Sequence, residues 1–259
     1  MASRQLLTCR NRRSWIALLL ENGTGSGYIT VRGESMCPVD ERETGARLAS
    51  ALARSTISLL APPGDGTAFL VSLPIEAGSA TRVQWFVTAA AATTAAVGGL
   101  RLRPELLSAG SHAAQEIWVP NWQEDWHTDG MISMTLFAAY MDHAASKGWS
   151  WNMQCLMHEQ GIAVPDTAGP TPVWVVGHPV GDDGSPGVWW GGVRALRWIE
   201  PIPAGFRGSP VLTMVDDEPR LVGVATDEGI VPLAQAKAFA ANLYVRGQRR
   251  RWWQRGSSV

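Results

Sequence analysis

Residues 205–211 read G-F-R-G-S-P-V, and a second run, R-L-V-G-V-A-T, follows at residues 220–226. Glycine tolerates backbone angles that other residues avoid, and proline fixes its own φ, so the first stretch predicts a tight turn. Residues 209–215, S-P-V-L-T-M-V, and residues 220–226 are rich in β-branched and aliphatic side chains and predict strands. The turn therefore presents Arg207 just before a pair of strands.

Short strand patterns recur outward from this turn. Their boundaries are rich in glycine and proline, which favours a sandwich or barrel architecture. The alanine-rich residues 231–243 have apolar positions three and four apart and predict a helix. The sequence thus predicts an all-β fold closed by one helix. The remaining predicted strands lie at residues 55–61, 66–73, 83–89, 131–137, 172–177 and 188–199.

Composition is typical of a globular chain. Of its 259 residues, 46% are hydrophobic and 17% charged, and the net charge of −1 gives no global reason to expect a polyanionic partner. Cys9, Cys37 and Cys155 have neither metal-ligand spacing nor an even count, so we expect no cofactor, no metal and a reducing compartment. The apolar run at 15–20 ends at Glu21 and is too short for a signal peptide or a membrane span, which predicts a cytoplasmic protein.

Four segments resemble, in order, those of the trypsin-like (chymotrypsin-fold) serine protease family. G-T-A-F-L-V (66–71) resembles the family's early strand G-T-G-F-L-V, and W-F-V-T-A-A-A (85–91) resembles V-L-T-A-A-H. T-D-G-M-I-S-M-T-L (128–136) resembles the strand opened by D-I-A-L-L, and residues 205–211 resemble the nucleophile loop. V-V-G-H-P-V-G (175–181) is similar to a stretch of the bacterial members.

The resemblance implies two six-stranded β-barrels packed face to face, with the site in the cleft between them. It covers residues 55–243. The expected organisation is an N-terminal extension (1–48), a double-barrel domain (49–245) and a basic tail (246–259). Within the domain we expect barrel 1 at about 55–140, barrel 2 at about 165–230 and the helix at 231–243.

The resemblance also assigns the catalytic positions, and two of the three hold residues that cannot perform the reaction. The family's histidine falls on Ala91 and its serine on Arg207, whereas Asp129 keeps the position of the aspartate. A methyl group accepts no proton and a guanidinium is no nucleophile, so the resemblance implies an inactive protein. Ser209, two residues beyond the expected serine, stays open as an alternative nucleophile.

The nucleophile loop itself is retained. Gly205 and Gly208 allow the turn, and the N–H groups of Gly205 and Arg207 match those of an oxyanion hole. The guanidinium of Arg207 either pairs with an internal carboxylate, for which we favour Asp129, or awaits an acidic group of a partner. If the pair is internal and enclosed, Arg207→Ser should destabilise the fold by about 1 to 4 kcal/mol.

The C-terminal tail interleaves arginine with tryptophan. Arginines attract phosphates, and indole rings stack on bases or settle among lipid headgroups. Nucleic acid, a membrane surface and a partner protein therefore stay open as ligands, beside a tail that binds nothing. The residues concerned are Arg249, Arg250, Arg251, Trp252 and Trp253.

Three functions compete. The favoured one is a trypsin-like binding or regulatory module, whose former substrate cleft takes a peptide or protein by strand addition near Thr226 and Asp227. The second is an active serine endopeptidase with displaced catalytic residues. The third is a nucleic-acid or membrane adaptor that works through the C-terminal tail.

Overall fold

Two β-sheets, a separate hairpin and three helices make up the described part of the chain. The computed structural model describes residues 16–22, 25–31, 39–60, 66–76, 79–95, 99–102, 106, 115–118, 126–138, 151–157, 163, 169–179, 186–216 and 218–256.

The hairpin and the first helix form the N-terminal part. Strands β1 (Ile16–Asn22) and β2 (Gly25–Val31) pair antiparallel, and helix α1 (Val39–Leu52) follows. Leu48, Ala49 and Leu52 of α1 are buried in the largest core cluster. The expected boundary between extension and domain at residue 48 therefore falls inside a helix that contributes to the core.

The first sheet is built mainly from the region expected to form barrel 1. Its strands are β3 (Thr56–Leu59), β4 (Gly66–Pro74), β5 (Arg82–Ala89), β6 (Gly99–Leu102), β7 (Gln115–Trp118), β8 (His127–Asp129), β9 (Ile132–Leu136) and β10 (Leu156–Met157). They lie in the order β7-β6-β3-β4-β5-β9-β8, and every pairing is antiparallel except that of the two-residue β10 with β4. Helix α2 (Ala90–Ala95) follows β5 directly.

The second sheet has six antiparallel strands: β11 (Thr171–Gly177), β12 (Gly187–Arg194), β13 (Arg197–Trp198), β14 (Pro210–Val215), β15 (Glu218–Ala225) and β16 (Ile230–Pro232). They lie in the order β13-β12-β11-β14-β15-β16. Helix α3 (Leu233–Gly256) follows its last strand directly.

The central strands bury both faces, because alternate side chains enter different cores. On β4, Phe69 and Val71 enter the core shared by the two sheets, whereas Ala68 and Leu70 enter a core inside the first sheet. On β11, residues 174 and 176 enter the shared core, and residues 173 and 175 enter a core inside the second sheet. Each sheet thus wraps its own core and packs against the other through a third, as two packed barrels require.

The predicted fold class is confirmed. The chain is mainly β, with two antiparallel sheets, one of them nearly closed into a barrel, and a C-terminal helix. Six strands of the first sheet have four residues or more, and β8 and β10 are shorter additions. The C-terminal helix is longer than predicted, since it runs to Gly256 and includes the residues expected to form a tail. No helix in the described ranges is both long enough and apolar enough to cross a membrane.

Candidate functional site

The loop at residues 205–209 takes a shape that depends on its glycines. Gly205 and Gly208 have φ angles of 91° and 86°, in the region that favours glycine. A Cβ on Gly208 would lie 2.0 Å from Oγ1 of Thr88 and 2.2 Å from the carbonyl oxygen of Thr67. The loop of the second sheet can therefore pass directly against β4 and β5 of the first sheet only because residue 208 has no side chain.

Thr67, on β4, anchors this loop. Its N–H donates to the carbonyl of Arg207 at 2.8 Å, and its Oγ1 donates to the carbonyl of Gly205 at 2.7 Å. The same Oγ1 accepts the N–H of His178 at 3.0 Å, and the whole residue is buried. The sequence has no signal for this role of Thr67, although the residue lies in the G-T-A-F-L-V segment that carries part of the family resemblance.

The backbone brings the three expected catalytic positions to adjoining segments. Ala89 at the end of β5 pairs with Ile132, which also pairs with Asp129 across the β8–β9 turn. The N–H of Ala90 donates to the carbonyl of Met131 at 2.8 Å, so α2, which carries Ala91, begins beside that turn.

Gly66 links α2 to the loop. A Cβ on Gly66 would lie 2.8 Å from Cβ of Ala92 and 3.5 Å from the carbonyl oxygen of Arg207. The side chains of Ala91 and Asp129 are exposed at this edge of the first sheet.

Arg207 pairs with Asp227, and the expected pair with Asp129 is wrong. Its Nε donates to Oδ1 of Asp227 at 2.9 Å. Asp227 follows β15 and Arg207 precedes β14, both strands of the second sheet, whereas Asp129 belongs to a hairpin of the first sheet. The side chains of Arg207 and Asp227 are 32% and 56% exposed, so this ion pair lies at the surface and is not enclosed.

Ser209 is placed for packing. It is completely buried, and its Oγ forms no hydrogen bond within the described part of the chain. A Cβ on Gly177 would lie 2.2 Å from that Oγ, so the hydroxyl packs against the backbone of β11. A serine nucleophile needs access to substrate and a base within hydrogen-bonding distance, and Ser209 has neither among the described residues.

Two N–H groups of the loop are left without an internal acceptor. Phe206 donates to the carbonyl of Pro203, Gly208 to that of Ala225 and Ser209 to that of Phe206. The N–H groups of Gly205 and Arg207 donate to no atom of the described residues. These are the two donors that the resemblance assigned to an oxyanion hole.

The main-chain N–H and carbonyl groups of Thr226 both make internal hydrogen bonds. The residue is buried, and both its N–H and its Oγ1 donate to the carbonyl of Gly229 at 2.8 Å. Its own carbonyl accepts Nε1 of Trp198 at 2.6 Å. Strand addition at Thr226 would require polar main-chain groups that are already bonded. Trp198 had no sequence signal that pointed to this role.

The arginines and tryptophans of the expected tail lie on the last turns of α3. The backbone is helical through Arg249, Arg250, Arg251, Trp252 and Trp253, and the side chains of these residues lie outside the described part.

No protein-family model matches the chain. No curated protein matches it at a significant level. The architecture of two antiparallel sheets, one of them barrel-like, is compatible with a chymotrypsin-like fold.

Proposed function

We propose that this protein is a trypsin-like domain without peptidase activity that binds a carboxylate of a peptide or protein partner at the 205–209 loop. One observation carries the proposal: in the described structure the N–H groups of Gly205 and Arg207 have no internal acceptor and lie in one loop with a partly exposed guanidinium, and this loop has no accessible nucleophile and no base. Such a site can stabilise a negative charge and has no group to transfer a proton.

The side chains at the expected catalytic positions support the absence of catalysis. Ala91 contributes a methyl group, Arg207 is engaged with Asp227, and the hydroxyl of Ser209 is buried without a base. In triad enzymes the members act as a unit, so an aspartate alone, here Asp129, supplies little.

A fluorophosphonate probe tests this part of the proposal, because only an activated serine reacts with it. We expect no labelling of the wild-type protein under conditions that label trypsin completely, and no cleavage of casein or small esters. Labelling that disappears in Ser209→Ala would instead establish the alternative, a serine endopeptidase with displaced catalytic residues.

The donors favour an anionic ligand. The Nε of Arg207 is used by Asp227, and the guanidinium has four further N–H donors, which suit the two oxygens of a carboxylate. The N–H groups of Gly205 and Arg207 lie in the same loop. Because Asp227 is itself a carboxylate beside Arg207, it should compete with a bound anion.

Peptides with free C-terminal carboxylates provide the probe, and the same peptides with C-terminal amides provide the control. We expect peptides with a free C-terminal carboxylate to bind. Their amides should bind about 10-fold or more weakly, since a hydrogen bond to a charged group contributes about 1.5–3 kcal/mol. Binding can be followed by fluorescence anisotropy.

Two matched variants sharpen the result. Arg207→Gln should weaken binding of the free acids, and Asp227→Asn should strengthen it, because the second substitution removes a competing anion without removing a donor. Equal binding of acids and amides, or binding that Arg207→Gln leaves unchanged, would refute a carboxylate site.

A further inference from the structure

Helix α3 changes character along its length. Its N-terminal half packs on the core shared by the two sheets through residues at three- and four-residue spacing: Leu233, Ala236, Ala240 and Leu243. The same stripe continues with Gly247, Arg250 and Gln254, none of which is a large apolar residue. The apolar stripe of the sequence therefore ends near residue 245, although the helical backbone continues to Gly256.

Positive charge is concentrated on this helix. It holds six of the chain's 22 basic residues and none of its 23 acidic ones, which leaves 16 basic against 23 acidic residues elsewhere. Burial lowers the pKa of Lys237, in the half that packs on the domain. The other five cations fall within ten residues near the C-terminal end: Arg246, Arg249, Arg250, Arg251 and Arg255.

These five positions surround most of the helix. At 3.6 residues per turn they spread over about two thirds of the circumference. Positions 252 and 253 are about 100° apart and alternate around the helix with arginine positions. A helix that lies on a membrane needs one continuous apolar face opposite a polar one, and this segment has none.

We propose that residues 246–255 of α3 bind the phosphodiester backbone of a nucleic acid, independently of the 205–209 loop. Cations distributed around a helix match phosphates on both walls of a groove, whereas a bilayer presents its charges on one side only. Ten helical residues extend about 15 Å, along which a duplex presents about nine phosphate charges. Tryptophans between the arginines add rings on which the bases of a single strand stack.

The binding experiment uses the full-length protein and fluorescein-labelled oligonucleotides as single-stranded DNA, duplex DNA and single-stranded RNA. The three arms identify which nucleic acid supplies the backbone. We expect binding that falls by about 10²-fold between about 50 and about 200 mM salt, because each phosphate contact releases a counterion.

Three sets of variants make the result specific. The triple variant Arg249→Gln, Arg250→Gln and Arg251→Gln should reduce the salt slope by about two to three. The matched triple Arg47→Gln, Arg82→Gln and Arg194→Gln removes the same charge from exposed positions elsewhere and should change it little. The triple variant Arg249→Lys, Arg250→Lys and Arg251→Lys keeps the charge and should retain most of the binding, which would show that the effect of glutamine is not a loss of folding.

Several outcomes would overturn the proposal. One is the absence of salt-dependent binding to all three oligonucleotides, which would leave the arginines only their favourable interaction with the negative end of the helix dipole. Another is an equal loss of binding in the two glutamine triples, which would mean that net charge alone is responsible. A third is binding to vesicles of phosphatidylcholine and phosphatidylserine, but not to nucleic acid, which would identify a membrane helix instead.

Discussion

Oγ1 of Thr67 donates a 2.7 Å hydrogen bond to the carbonyl of Gly205, which fixes the loop that carries Arg207 to the first sheet. The same oxygen accepts the N–H of His178 at 3.0 Å. One buried hydroxyl thus satisfies two main-chain groups of the second sheet. The distance between the two sheets at the candidate site is set by this hydrogen bond and by the close approach of Gly208 to β4 and β5.

Thr67→Val should therefore destabilise the protein by about 2 to 4 kcal/mol, since valine has nearly the same shape but leaves a buried N–H and a buried carbonyl without partners. Denaturant unfolding measures the difference. Thr67→Ser keeps the hydroxyl and should lower the free energy of unfolding clearly less than Thr67→Val does. A valine variant as stable as wild type would mean that the hydroxyl has no part in joining the sheets.

The ion pair between Arg207 and Asp227 should contribute less than about 1 kcal/mol to folding, because both side chains are substantially exposed. This is below the 1 to 4 kcal/mol expected for an enclosed pair with Asp129. A double-mutant cycle with Arg207→Gln and Asp227→Asn measures the coupling directly. A coupling of several kcal/mol would show that the pair is shielded from solvent.

The β-turn between β12 and β13 holds two residues in conformations that glycine prefers. Ala195 and Leu196 have φ angles of 47° and 65°, and Arg194 pairs with Arg197 across the turn. Since Ala195 is exposed and loses little packing, Ala195→Gly should stabilise the protein by about 0.5 to 1 kcal/mol. The same change at Ala238, exposed in the interior of α3, should destabilise it by about 1 kcal/mol. A change in stability of the same sign for Ala195→Gly and Ala238→Gly would contradict the backbone angles of the turn.

The sheets could be predicted from the sequence because their strands are short runs of apolar and β-branched residues bounded by glycine and proline. Runs such as residues 66–73 are apolar on both faces, and a strand with two buried faces is what two packed barrels need. The length of α3 was missed because arginine and glutamine are good helix formers that give no apolar periodicity, so a helix without a buried stripe resembles a tail.

The details of the site were less predictable. The family resemblance placed residues 91, 129 and 207 on segments that the backbone does bring side by side. It could not choose between Asp129 and Asp227 as the partner of Arg207, because that choice depends on side-chain reach between loops. The hydrogen bond from Nε1 of Trp198 to the carbonyl of Thr226 joins residues 28 positions apart, for which the sequence has no periodic signal.

Burial controls the chemistry of Cys155. The thiol is half-buried beside the core inside the first sheet, and this burial raises its pKa from 9.0 to about 12. Only the thiolate reacts with iodoacetamide, so in the native protein Cys155 should be alkylated on the order of 10²-fold more slowly at pH 8.5 than in the unfolded chain. Mass spectrometry of the peptide that contains Cys155 separates its rate from those of Cys9 and Cys37.

The pH dependence gives this prediction a definite sign. Because the folded-state pKa lies above the unfolded one, the native protein keeps a proton that the unfolded chain releases, and the contribution of Cys155 to stability should be lost as pH rises from about 9 to about 12. The native alkylation rate should accordingly still increase at pH 10 and above, whereas the rate in denaturant should level off near pH 9. Cys155→Ser, which does not titrate in this range, should remove that part of the alkaline loss of stability. A native rate that levels off below pH 10 would show that the thiol is in contact with solvent and has an ordinary pKa.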